Sequence, residues 1–445
     1  MVQKKISFLN FLSLLCSLMV PLLVTGPFLP DLLLSLMVIG FIYYSLKHQS
    51  SKDIRKIYKN NFFYVFIIFC VICIISSLLS DDIKLSFESS LFYFRVGFFA
   101  LLVGYLINKK TKIFEYFYYS FLITFSVLIL DGNIQYFTGK NLVGFEISAN
   151  RVSSFFYDEL ILGSYLTRLY PLFFAIFILK PQKKLIELIF VSVLFVLIDV
   201  LIFFTGERSA FFLFNLCTIF IILFIKEYKY LRLIIFLISL SIITSITLYD
   251  EKFYSRYVKS PIEGIGLTDK NHEKKFFTDS HDFLYKTSWN MFLDKPILGH
   301  GPKLFRIKCN NKEYRYNDKN KCHSHPHNFY VQLLAETGIT GFLFLFSVLI
   351  YFCFRIIKHL VNKISNKKQL LSDYQICLLG GLLITIWPFI PNGNFFNNHL
   401  MILYSLQIGF FKEKIKIKKF KRIDDLIKKL IIHINLKKNS KILKN

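Results

Sequence analysis

The chain is expected to be all-α and polytopic, with about twelve membrane-spanning helices and one large loop outside the membrane. Three observations lead there. Hydrophobic residues make up 54% of the 445, they fall in long blocks separated by short Lys-rich stretches, and one long polar segment interrupts this pattern late in the chain. A soluble globule cannot hide that much apolar side chain.

A helix needs about 20 mostly apolar residues to cross a bilayer. Such blocks lie near 8–25, 27–46, 61–79, 90–108, 114–131, 160–179, 184–204, 210–226 and 231–249, and again near 333–354, 373–390 and 396–411. The first follows a short basic start, Lys4 and Lys5, without a small-residue cleavage site before the next block, so it is read as a retained span. The expected organisation is nine spans over 1–249, a large loop over 250–332, three spans over 333–411 and a basic tail over 412–445.

Orientation follows from where Lys and Arg gather in short connections. One alternating set is rich in them: Lys47 to Lys59, Lys109 to Lys112, Lys180 to Lys184, Lys226 to Arg232, and Arg355 to Lys368. The intervening short connections carry only Lys84, Lys140, Arg151 and Arg208. Both termini are therefore expected in the cytoplasm and the 250–332 loop on the far side. The net charge of +26 comes largely from the tail and the inner connections, where anionic lipid headgroups attract it, so it calls for no nucleic-acid partner.

Six cysteines, Cys16, Cys70, Cys73, Cys217, Cys353 and Cys377, sit in apolar blocks and read as small buried hydrophobes. Cys309 and Cys322 lie instead in the outer loop, in an oxidising compartment, and bracket the polar run NNKEYRYNDKNK, which lacks core-forming content; a disulfide clipping this excursion is expected. Next comes Cys-His-Ser-His-Pro-His. Its His323, His325 and His327 alternate and so share one side of an extended segment, as a zinc or copper site would need. Pro326 stiffens the run and no second ligand cluster accompanies it, so no metal is expected. Acid–base chemistry is the other use of the run, since imidazole takes a proton near neutral pH, and His327 falls just before a span. A histidine that merely caps that helix is the plainer alternative.

Trp289, Asp294, Pro296, Leu298, Gly299, Gly301 and Pro302, followed by His327, Asn328, Tyr330, Leu333, Leu334, Glu336, Gly338 and Gly341, resemble the signature of the O-antigen ligase and O-antigen polymerase superfamily. The resemblance is strongest over 285–350. It implies a glycosyltransferase of C-type architecture in the bacterial inner membrane, with its active site on the periplasmic side. The implied donor is a polyprenyl-diphosphate-linked glycan. Lipid A-core is the implied acceptor in a ligase and a second lipid-linked glycan in a polymerase, with membrane lipids as surroundings and no cofactor.

By this resemblance His327 matches the proposed loop base, with His325 beside it. Displacing a lipid diphosphate builds negative charge that cations must stabilise in the absence of a metal. Arg208, in TGERSAFF, matches the family's arginine at the corresponding turn. Arg151, in SANRVSSFFYDE, and Arg168, a charge about two turns into an apolar block, are further substrate-binding candidates. Each has a plainer alternative: Arg208 snorkelling to headgroups, Arg168 pairing with a neighbouring carboxylate. The chain departs from the family where an arginine often precedes the loop tryptophan. Here the stretch is SHDFLYKTSWN, leaving His281, Lys286, Arg256 or nothing in that role.

Gly299, Gly301 and Pro302 are expected to make a turn, either structural or open to close approach by a substrate. Glu336 is expected either to favour a helix's first turn or to bond a site arginine. The asparagines of PNGNFFNNHL either bind sugar hydroxyls or satisfy helix ends. Two other readings are a metal-dependent transferase using Asp81 and Asp82, and a lipid-linked sugar transporter. The first leaves the Trp-to-Gly block unexplained, and the second has no use for a large clipped outer loop and lacks an inverted repeat with broken helices.

Overall fold

A computed structural model describes residues 2–180, 184–264, 277–317 and 320–411. The basic tail over 412–445 lies outside the described residues, as does part of the large loop. Among the described residues the protein is helical, and β-pairing is confined to two isolated bridges, Lys140 with Glu146 and Ser148 with Arg151. In lipid the backbone has no water to bond, so an apolar block closes its own hydrogen bonds as a helix.

Each of the twelve apolar blocks meets a helix, but they are not equal. Eight are long and apolar enough to cross a membrane: Phe28–Lys47, Asn61–Leu78, Ile83–Asn108, Ile113–Thr138, Leu162–Leu179, Leu185–Phe204, Lys229–Tyr249 and Phe329–Ile364. The other blocks correspond to shorter helices, with apolar stretches over Phe8–Leu22, Arg208–Phe224 and Asp373–Thr385 and a last helix over Asn398–Phe411. The protein is a polytopic membrane protein; among the described residues eight helices reach spanning length, and the four shorter ones neither add to nor subtract from the expected twelve by length alone.

Two compact units interleave along the chain. One is drawn from Met1–Ser120, Lys252–Lys368 and Leu382–Glu413, the other from Phe121–Glu251 and Gln369–Gly381. In the first unit, Phe94–Asn108 and Asn398–Phe411 run close together. A Cβ on Gly409 would meet the Val103 Cβ at 2.7 Å and the Ala100 carbonyl oxygen at 2.8 Å, so only glycine lets these backbones approach, as small residues do between helices in lipid.

The same unit holds a helix inside the large loop, Asp279–Asp294. Phe283, Leu284 and Met291 recur at helical spacing and are fully buried, joined in one small core by Phe305, Cys309, Tyr314 and Ala335. Tyr314 corrects the expectation that the cysteine-bracketed run contributes nothing to a core: it is 5% exposed, and its hydroxyl donates to Asp294 Oδ2 at 2.9 Å.

The second unit contains a buried ion pair. Arg232 donates to Asp199 at 2.9 and 3.3 Å and to Thr218 at 2.9 Å, with the Tyr170 ring 4.9 Å from its guanidinium carbon. Arg232, counted above among the charges of an inner connection, is thus inside the Lys229–Tyr249 helix, where only a paired charge is tolerable.

Candidate active site: a histidine loop and an arginine turn

The histidine loop belongs to the first unit and is held at both ends. At its start, Cys322 is joined to Cys309 by a disulfide. At its end, Asn328 caps the Phe329–Ile364 helix: its Oδ1 accepts from the N–H groups of Tyr330 (2.9 Å) and Val331 (3.2 Å), and its Nδ2 donates to the Pro388 carbonyl at 2.7 Å. The Asn392 N–H donates to the His327 carbonyl at 2.6 Å, and the Tyr330 hydroxyl donates to the Ile386 carbonyl at 2.7 Å. So clamped, His327 sits at φ 58°, a left-handed conformation costly for a residue with a Cβ. Strain of this kind persists only where the surroundings over-determine it, and it collects at functional sites.

Three imidazoles surround that of His327. Ring centroids lie 4.2 Å away for His325, 5.3 Å for His323 and 5.9 Å for His281, which comes from the Asp279–Asp294 helix. Burial, then the neighbouring His323 and His281, lowers the pKa of His327 to about 4. Burial, then His327, lowers that of His325 to about 3. Both rings are therefore neutral at pH 7 and able to accept a proton. His325 shares a hydrogen bond through Nδ1 with Ser324 Oγ at 3.0 Å. No group of three His, Cys, Asp or Glu among the described residues is arranged to hold a metal ion.

The arginine turn belongs to the second unit. Gly206, at φ 63°, reverses the chain between Leu185–Phe204 and Arg208–Phe224. Glu207 then turns to another helix: its carboxylate accepts from the N–H of Gly163 (2.6 Å), the N–H of Ser164 (3.2 Å) and the Ser164 hydroxyl (2.7 Å), the first turn of Leu162–Leu179. Arg208 is exposed at the start of its own helix, where free N–H groups and the helix dipole also favour an anion.

A family model described as O-antigen ligase matches residues 169–346. That match, over less than half of the chain, supports the resemblance to the O-antigen ligase and polymerase superfamily. It spans Arg208, the Asp279–Asp294 helix and the whole histidine loop. None of the curated proteins matches the chain.

The other predicted residues have duties of their own. Arg151 donates to the carbonyls of Thr205 (3.0 Å) and Leu160 (2.9 Å) and stands 4.0 Å from Glu207, bracing the arginine turn. Arg168 is 4% exposed and donates back to the Ser164 carbonyl of its own helix at 3.2 Å. Lys286 pairs with Asp282 at 2.9 Å and lies over the Tyr316 ring, while His281 is drawn into the imidazole group.

Motif residues left open to either a structural or a substrate-facing role hold the loop to the Phe329–Ile364 helix. That helix breaks at Gly338, with φ 65° and ψ −163°. Into the break fits the turn at Pro296–Gly301: the N–H groups of His300 and Gly301 donate to the carbonyls of Ala335 (3.0 Å) and Glu336 (2.8 Å), and that of Ile339 donates to Pro296 (2.8 Å). A Cβ on Gly299 would lie 2.4 Å from the Glu336 carbonyl carbon, so the close approach these glycines permit is backbone on backbone. Glu336 is not in a first turn; its carboxylate accepts from the Phe305 N–H (3.1 Å) and the Gln332 amide (2.9 Å), and Arg306 is close enough to act on it electrostatically. Gln332 also donates to Asn394 at 2.8 Å. Asn397 Oδ1 accepts from the Leu400 N–H at 3.3 Å, and Asn398 Nδ2 donates to Asp31 Oδ1 at 2.9 Å.

Asp81, the carboxylate of the metal-dependent reading, is bound to Lys308 and Lys295, which lower its pKa to about 2. Asp82 caps the Leu85 N–H at 2.9 Å. One cation escaped the sequence reading. Arg306, in the short helix Phe305–Lys308, is near enough to depress His325, and its buried Nε has no partner among the described residues. No motif marks it; the disulfide, the Glu336 bond and the packing of Phe305 in the loop core bring its helix to the histidines.

Proposed function

We propose that the protein is an inverting glycosyltransferase of the ligase type, moving a glycan from a polyprenyl-diphosphate carrier to a hydroxyl of lipid A-core. The proposed setting is the periplasmic face of the inner membrane, with both termini cytoplasmic. At family level, lipid-linked glycans are the substrates and the chemistry is that of glycosyltransferase-like ligases and polymerases.

The observation that carries the reading is His327, a neutral imidazole held in a strained backbone position by Asn328 and Asn392. The acceptor hydroxyl attacks the anomeric carbon as the carbon–oxygen bond to the diphosphate breaks, and the hydroxyl proton passes to His327. A single displacement inverts the anomeric centre. The departing diphosphate takes the bonding electrons; Arg306, in the same unit as His327, is the cation proposed to stabilise it, and Arg208 is proposed as a further diphosphate-stabilising cation on the resemblance alone. An imidazole at about 4 is a weak base, but an anionic diphosphate beside it favours the protonated form, so donor binding strengthens the base.

Purified protein in EDTA, given a polyprenyl-diphosphate glycan and either lipid A-core or a second donor molecule, tests the proposal. Product on lipid A-core identifies a ligase, and a lengthened lipid-linked glycan identifies a polymerase. Activity that returns only with a divalent metal overturns the cation-based mechanism.

A further inference from the structure

One exposed side of the Asp279–Asp294 helix changes character along its length. Asp282, Lys286, Trp289 and Leu293 follow one another at helical spacing. The first two form an ion pair, whereas Trp289 is 52% and Leu293 60% exposed. Past the helix end the stripe continues to Ile297, 65% exposed. The opposite side, with Phe283, Leu284 and Met291, is already spent on the loop core.

The neighbourhood says what covers this stripe. The Ile297 carbonyl accepts from the N–H (3.4 Å) and hydroxyl (3.1 Å) of Thr340, within a helix long and apolar enough to cross a membrane. On the next turns of that helix Leu343 and Phe346 are 52% and 40% exposed. The stripe therefore runs into the apolar surface of a spanning helix, which in a polytopic membrane protein faces lipid. Indole, with a large apolar body and one N–H donor, favours the boundary between headgroups and chains.

We propose that Trp289, Leu293 and Ile297 rest in the interfacial layer of the bilayer, with the Asp282–Lys286 end of the helix in water. His281 lies at that watery end, so this anchorage sets the height of the imidazole group above the lipid. The inference needs only the membrane reading and stands apart from the proposed reaction.

The chain has two tryptophans, Trp289 and Trp387, so a Trp387→Phe variant isolates the one of interest. The variant is reconstituted without donor in phosphatidylcholine bilayers whose acyl chains carry bromine near the headgroup or near the bilayer centre. The expected result is blue-shifted emission, quenched more by shallow than by deep bromine and little by aqueous iodide. Strong iodide quenching without bromolipid quenching puts the helix in water and overturns the proposal; so does quenching by neither, which means protein covers the stripe. Should Trp387→Phe fail to fold, the difference between wild type and Trp289→Phe gives the same signal.

Discussion

The arginine turn and the histidine loop both deliver the chain into a helix, and in each a pair of adjacent residues divides the labour. At Glu207–Arg208 the carboxylate is committed to the N–H groups of Gly163 and Ser164, and the arginine is left exposed. At His327–Asn328 the asparagine caps the helix, and the histidine is left among imidazoles. The difference lies in the backbone. Glycine absorbs the left-handed angle in the first turn, at Gly206, whereas His327 bears it in the second. A residue of the second turn is thus held at an angle that it would not choose, which is the stronger mark of function.

This division predicts opposite outcomes for the two members of each pair. The largest effect is expected for His327→Ala: transfer abolished, with membrane insertion and thermal unfolding close to wild type. Arg208→Ala comes next, with kcat lowered on the order of 10²–10³-fold as for loss of one charge-stabilising donor, measured by transfer at saturating donor. The neighbours are expected to affect stability first. Asn328→Ala removes a helix cap, at about 1 kcal/mol, and also frees the Pro388 carbonyl; a lowered unfolding midpoint alongside residual transfer separates it from His327→Ala. On transfer, the smallest effect is expected from Cys309→Ser, although it costs more stability than the lost cap. Opening a loop closed over a sequence separation of 13 costs about 3 kcal/mol in the chain-entropy picture, and the loop's histidines lose position while their chemistry is unchanged.

Acid dependence sharpens the same contrast. Folded His327 stays neutral down to about 4 and His325 to about 3, whereas the unfolded imidazoles take up protons near 6.5. Between these limits the unfolded chain binds more protons, so stability is expected to fall as pH drops below 6.5. The acid limb of kcat/KM is expected near 4, and that of kcat higher once an anionic donor is bound. Coincident limbs in both profiles would separate the base from the donor's charge.

Much of this was legible in the residues. Apolar blocks mark helices because lipid leaves the backbone no other partner, and the loop cysteines mark a clip because their surroundings are polar. What escaped depends on contacts between segments far apart in sequence. Nothing local to Gly338 says that it breaks a helix to admit the turn at Gly299, and nothing local to Glu336 says that its carboxylate receives the Phe305 N–H. The Asp279–Asp294 helix was legible in principle, from Phe283, Leu284, Thr287, Ser288 and Met291, but its polar and apolar residues mix over a stretch that hydropathy alone leaves as loop. Arg306 had no signal at all.

The most direct test of the account sets His327→Ala beside His325→Ala in the same transfer assay, with both variants shown to fold. The account predicts loss of transfer for His327→Ala at every pH and retained transfer for His325→Ala, whose ring lies 4.2 Å away. Equal activity in the two, or retained transfer without His327, would contradict it.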